Sequence, residues 1–155
     1  MQSKISLREF QNIKEIEQSA KQLHEFTINE YGITAGDILY INPFVAGQTK
    51  ENIFKLPVRE YPVDFGSPME KIYMSRISIP EGYSVDELPP SKVIALPNGA
   101  ARYTYNVSQV GNSLNVISSL QINKSLFLQD EYPNLREFYN QLVAKQAEQI
   151  VLKKK

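Results

Sequence analysis

The sequence predicts a mainly β protein, an antiparallel sandwich of immunoglobulin-like or related type, with one amphipathic helix packed on it near the C-terminus. Three observations carry this. Between Ala101 and Asn123, apolar and polar residues alternate on both sides of a Gly111-Asn112 turn, the pattern of a β-hairpin. Upstream, short apolar stretches recur between proline and glycine punctuation at spacings of about 10–20 residues, as antiparallel sheets require. Downstream, Leu135, Phe138, Tyr139, Leu142, Val143 and Gln146 follow the i, i+3, i+4, i+7 spacing of one helix face.

In chain order, Ile5 and Leu7 alternate with Ser6 and Arg8, a strand pattern. Residues 12–22 fit either a helix (Ile13, Ile16, Ala20 and Leu23 share a face) or a loop with a helical turn between two strands. His24 to Ile28 reads as a strand, and Tyr31 to Gly36 is turn-rich. Asp37 to Phe44 is a short apolar strand that Pro43 stops, because proline has no N–H for a ladder. Residues 45–60 show no period and form a long irregular connection. Connections longer than about 12–15 residues are uncommon in compact domains and often functional.

Tyr61 to Phe65 is extended. Glu70 to Ile79 is a strand with Tyr73, Ser75, Ile77 and Ile79 on one face and Ile72, Met74, Arg76 and Ser78 on the other. Ser84 to Pro90 reads as a loop, and Ser91 to Leu96 as a strand before the hairpin. In the hairpin, Tyr103, Tyr105 and Val107 face one way. Leu114, Val116, Ser118, Leu120 and Ile122 do the same on the return strand. Pro133 suits the first turn of the helix, and Asp130 and Glu131 suit its positive end. Ile150-Val151-Leu152 either extends the helix or makes a last strand. Residues 1–155 are expected to form a single domain, with 1–25 as linker or first strand, 26–124 as sandwich strands and 131–149 as helix.

The totals narrow the function. With 155 residues, roughly 70% of the unfolded chain's surface can be buried, enough for a core without metal or disulfide. There are no cysteines, so thiolate catalysis and zinc–thiolate sites are excluded. Lysine plus arginine balance aspartate plus glutamate at 17 each, which argues against nucleic acid as a partner. No apolar run approaches the ~20 residues of a membrane helix, and no signal peptide opens the chain. The start reads like a cut within a longer protein. His24, the sole histidine, stands in a charged strand with no nucleophile signature near it. No phosphate-cradling loop or calcium loop is present. The expectation is therefore no catalytic residue, no metal ligand and no cofactor.

Two features remain as candidates for binding. Nine tyrosines without a tryptophan either form an exposed sugar- or peptide-binding face or point Tyr73, Tyr103 and Tyr105 into the sheet. Along the irregular connection, Asn42, Phe44, Phe54, Arg59, Tyr61 and Asp64 form a candidate interaction surface, together with Ile53 and Leu56. Either the two phenylalanines plug the end of this domain's own core or they meet another surface.

Four stretches in order carry a resemblance: Ile41-Asn42-Pro43-Phe44; Arg59 to Gly66; Ile79 to Tyr83 with Glu87-Leu88-Pro89; and Glu131 to Tyr139. Together they resemble the C-terminal β domain that follows a transglutaminase-like core in large bacterial envelope proteins. The resemblance covers about Phe26 to Leu152. It implies a non-catalytic accessory domain whose partners are neighbouring domains of the same polypeptide. It also implies export to the periplasm or cell surface. The family's Cys-His-Asp chemistry would reside in the core, and no cysteine here matches it. The alternative is a module that binds envelope peptide or glycan, without membrane insertion.

Overall fold

The computed structural model describes residues 3–12, 14, 17, 21–28 and 31–155. The chain divides into two compact units, Met1–Ile33 and Thr34–Lys155. In the first, strands β1 (Ser3–Gln11) and β2 (Lys21–Ile28) form an antiparallel hairpin with a register shift between Leu7 and Glu9. Phe26 pairs with Ile5 here, so residues 26–28 belong to this hairpin and not to the sandwich. The sequence places no long-range pairing, and His24 to Ile28 has the same alternation whichever strand it joins. Of the ambiguous segment 12–22, Asn12 is a bend with φ 58° and Lys14 and Glu17 are turns. Lys21 and Gln22 already belong to β2. The rest of that segment lies outside the described residues.

The second unit is built on two four-stranded antiparallel sheets. One has the order β6-β10-β9-β8, made of β6 (Met69–Ser78), β8 (Lys92–Ala95), β9 (Ala101–Val110) and β10 (Ser113–Ile122). The other has the order β3-β4-β12-β7, from β3 (Ile33–Ala35), β4 (Ile38–Ile41), β7 (Tyr83–Glu87) and β12 (Ile150–Lys154). A two-residue ladder joins β5 (Val63–Asp64) to β11 (Leu126–Phe127). The helix α1 spans Tyr132–Ala147.

The β9–β10 hairpin closes through Gly111-Asn112, with Gly111 at φ 60°. A positive φ is cheap for glycine alone, which is why the turn sits there. Alternation then decides which side chains enter the core. Ala101, Tyr103, Tyr105 and Val107 are buried, as are Leu114, Val116, Ser118, Leu120 and Ile122. The opposite face carries Arg102, Asn106 and Ile117 to solvent. Against this core lie Leu135, Phe138, Tyr139 and Leu142 of the helix, all buried. Fold and packing are thus mainly β, antiparallel and sandwich-like, with the helix α1 near the C-terminus.

Two elements depart from the local sequence pattern. Ser84 to Glu87, expected as loop, belong with Tyr83 to the edge strand β7, held by β12. Only Tyr83 and Val85 alternate with polar neighbours, too short a pattern to mark a strand, so the partner strand reveals it. Ile150 to Leu152 is a strand and not more helix. β12 lies between β4 and β7, with Ile150 and Leu152 buried.

Candidate interaction surface

Residues 42–62 have no helix or strand, yet side-chain bonds strap them across α1. The sequence Asn-x-Phe occurs twice, and each copy does the same thing. The Asn42 Oδ1 accepts the Phe44 N–H at 2.8 Å, and the Asn52 Oδ1 accepts the Phe54 N–H at 2.8 Å. An asparagine that bonds the backbone two residues on closes an Asx turn. Each carboxamide also donates to a helix carbonyl: Asn42 Nδ2 to Gln146 O at 3.2 Å, and Asn52 Nδ2 to Arg136 O at 2.8 Å. The turn therefore fixes the strap to the helix and drives the following phenylalanine inward.

Further bonds complete the strap. The Gln146 carbonyl, in the last turn where helix carbonyls lack intrahelical partners, also accepts Gln48 Nε2 at 2.9 Å, while its side chain accepts the Thr49 N–H at 2.7 Å. Tyr132 Oη donates to Leu56 O at 2.7 Å, Arg136 Nε donates to Phe54 O at 3.2 Å, and Gln129 Nε2 donates to Glu60 O. A segment without ladder bonds thus has its backbone polar groups met by side chains, as buried or half-buried backbone requires.

The phenylalanines are internal. Phe44 is only 5% exposed, and its ring lies 4.8 Å from that of Tyr73 and 6.1 Å from that of Tyr105. Tyr73 Oη donates to Pro43 O at 2.9 Å and accepts the Val45 N–H at 3.2 Å. Phe54, equally buried, meets Tyr139 edge-on at 5.0 Å, Tyr132 at 5.8 Å and Phe65 at 6.4 Å. Of the two roles open to these residues, both rings occupy the plug position. Asn42 is half-buried, while Arg59, Tyr61 and Asp64 are on the surface. The Asp64 carboxylate accepts the Gly66 N–H at 2.8 Å.

The apolar surface comes from other residues of the same strap. Ile53, Leu56, Val58 and Tyr61 are all more than half exposed. The sequence singled out Ile53, Leu56 and Tyr61, but not Val58. Val58 lies between Pro57 and Arg59 in a stretch with no periodicity, so no local signal marks which way it points. The strap thus turns Phe44 and Phe54 inward and leaves Ile53, Leu56, Val58 and Tyr61 exposed, in a stretch that also carries Lys55, Arg59 and Glu60.

Around the buried tyrosines the interior is polar. Ser118 bonds the Tyr103 hydroxyl at 3.1 Å, whereas the Tyr105 hydroxyl is buried without a hydrogen-bond partner among the described residues. Burial pushes the Tyr103, Tyr105 and Tyr139 phenols above their ordinary range. Lys145, 5% exposed at its side chain, pairs with Glu148 at 2.5 Å and lies 5.2 Å from the Tyr105 ring centre. Of the tyrosines expected either on a binding face or in the sheet, Tyr103 and Tyr105 are buried and Tyr73 is half-buried.

No group of three or more metal-ligating side chains occurs among the described residues, and no described helix is long and apolar enough to cross a membrane. His24 lies in β2, where the side chains are outside the described residues. A cavity of about 100 Å³ between the Pro97–Gly99 turn and the start of α1 is lined by Leu96, Phe127, Glu131 and Asn134 among others, below the roughly 300–1,000 Å³ of small-molecule sites.

Residues 37–152 match the family described as "Domain of Unknown Function with solved-structure structure" (DUF3858). The chain belongs to this family. The DUF3858 match falls within the second unit. No curated protein matches the sequence. Among solved structures, the fold is similar to that of a "putative protease" from Parabacteroides distasonis, with a TM-score of 0.58 and 18% identity over 75% of this chain. This chain spans 23% of that protein, so the similarity concerns the fold of one part of a much longer polypeptide.

Proposed function

We propose that this DUF3858 domain is a non-catalytic accessory domain of a larger, exported transglutaminase-like protein, and that the strap docks it onto a neighbouring domain. One observation carries the reading. Ile53, Leu56, Val58 and Tyr61 are exposed together on a segment whose backbone is pinned to α1. An apolar row on a rigid support resembles a binding surface, because little ordering entropy is lost when a partner covers it. Large apolar side chains left exposed close together in one held segment mark interaction sites. Arg59 and Asp64 flank it and would act as rim charges, with arginine the better anchor.

Two features support the accessory role. The ordered motifs resemble a domain that follows a transglutaminase-like core, and the protein of similar fold is over four times this chain's matched share. Periplasmic or surface location follows from that same resemblance. The glycan-module alternative needs an exposed aromatic cluster. Tyr61 supplies one ring at the strap, while Phe44 and Phe54 are internal, which leaves no such cluster there.

The test uses the longest natural polypeptide that contains this chain. Leu56→Asp with Val58→Asp should leave the melting of this domain unchanged and should make the strap newly accessible to limited proteolysis in the longer protein. A longer protein in which this double variant leaves cleavage unaltered rejects the docking surface. Robust hydrolase or transferase turnover by the 155-residue chain alone rejects the non-catalytic assignment.

A further inference from the structure

Strand β6 lies at the edge of its sheet, and the ladder dictates which of its backbone groups are spent. The Ile79 N–H donates to Asn112 O at 3.0 Å. Hydrogen-bonding direction alternates along an antiparallel pair, so Ile77, Ser75, Tyr73 and Lys71 point their N–H and C=O toward β10. The bond from Leu96 N–H to Ala101 O at 2.9 Å, at the far edge, fits the same alternation across all four strands. Glu70, Ile72, Met74, Arg76 and Ser78 therefore direct their backbone groups away from the sheet. No hydrogen bond of these backbone groups occurs among the described residues. Ten residues of open edge are unusual in a soluble sheet, where short strands, bulges or proline normally block pairing.

The same five side chains lie on the outer face, and all are exposed. Ile72 and Met74 are 52% and 68% exposed. Glu70 is held by Gln121, whose Nε2 donates to it at 2.7 Å. Arg76 has no ion-pair partner among the described residues.

We infer that β6 pairs antiparallel with β6 of a second copy of this chain, with the two-fold axis at Tyr73, to make a continuous eight-stranded sheet. Register selects this axis. A symmetric antiparallel pair must set outward-pointing residues opposite outward-pointing residues, so the axis has to pass at a whole residue. With the axis at Tyr73, Glu70 faces Arg76 of the second copy, and Arg76 faces Glu70 of the second copy. Ile72 and Met74 face each other in the same way. Every cross-strand pair on the outer face is then either oppositely charged or apolar, the pairs that stabilise a sheet. Moving the axis to Met74 instead sets Ile72 against Arg76 and Glu70 against Ser78, which loses both kinds of match. The pairing is isologous, so it closes as a dimer and does not grow into a fibre.

Sedimentation of the 155-residue chain over a range of concentrations tests this, with five proteins side by side. The natural chain should show a concentration-dependent dimer. Glu70→Arg and Arg76→Glu should each weaken it at least tenfold, because each places two like-charge pairs across the axis. The double variant Glu70→Arg with Arg76→Glu should regain most of the affinity, since the two pairs are restored with their signs exchanged. Ile72→Pro removes an outward N–H at an edge, where proline is tolerated, and should abolish the dimer while circular dichroism reports a folded chain. A chain that stays monomeric up to millimolar concentration overturns the inference. So does a dimer that ignores both single reversals, or a double variant no better than the single ones.

Discussion

The β9–β10 hairpin and the strap over residues 42–62 are both well-held segments, but opposite means hold them. In the hairpin, ten consecutive cross-strand pairs from Ser113–Val110 to Ile122–Ala101 satisfy the backbone, and side chains only choose which face is buried. In the strap the backbone has no ladder, and side chains do the holding. Asn42, Gln48, Asn52, Gln129, Tyr132 and Arg136 supply bonds that a partner strand would otherwise make. Regular structure therefore tolerates the loss of one polar side chain, whereas irregular structure rests on a few of them.

The largest effects should come from the two plugs. Phe44→Ala and Phe54→Ala should each cost about 3–5 kcal/mol, the usual range for emptying a buried phenylalanine site. Urea unfolding of each variant beside Leu114→Ala, in the hairpin core, measures this. A loss at Phe54 under about 1 kcal/mol would make the strap a passive loop and end the comparison.

The asparagines sharpen it. Asn52→Ala removes both the acceptor for the Phe54 N–H and the donor to Arg136 O, so it should cost about 1–3 kcal/mol, the penalty for leaving such groups unpaired. Asn115→Ala on the outer side of the hairpin should stay within about 0.5 kcal/mol, as surface substitutions do. Equal costs at the two sites would show that the strap's polar bonds add nothing beyond what a ladder residue does.

The next effect is of opposite sign. Tyr105 buries a hydroxyl without a partner among the described residues, so Tyr105→Phe should stabilise the chain by about 1 kcal/mol, the lower end of the cost of an unsatisfied buried group. The same residue sets an alkaline limit. The Tyr103, Tyr105 and Tyr139 phenols are raised in the folded state, above the value of about 10 expected when unfolded. Above that pH the unfolded chain loses protons that the folded chain keeps. The stability that these groups contribute is therefore full below pH ~10 and falls as pH rises toward the folded values. Thermal melts between pH 8 and 11 should show that fall, and it should be shallower in Tyr105→Phe.

Smallest of all, Leu56→Ser should change the stability of the chain by less than about 0.5 kcal/mol, because that side chain is 65% exposed. A larger loss in a denaturant titration would mean that Leu56 serves the domain's own core, and that the exposed row does not stand ready for a partner.

How much of this was legible beforehand depended on how local each cause is. Alternation along Ala101–Ile122 determined the hairpin, its turn and its buried face, because side-chain direction in a strand reverses with every residue whatever lies beyond it. The helix face from Leu135 to Gln146 was legible for the same reason. Both faces of β6 were readable as well, and tertiary structure only added which one turns inward. The absence of cysteine and the balanced charge were facts of composition. Tertiary structure decided the remainder. β7 exists because β12 pairs with it, and Ile150 to Leu152 became a strand because an open place between β4 and β7 takes it. Phe26 joined Ile5 through a pairing more than twenty residues away in sequence. Along the strap, the sequence marked Phe44, Phe54, Tyr61 and Asp64 alike. Only the bonds from Asn42 and Asn52 to helix carbonyls about a hundred residues downstream separated the internal rings from the exposed side chains. Local periodicity reports a residue's side of its own element. It carries no information about a contact whose other half lies elsewhere in the chain.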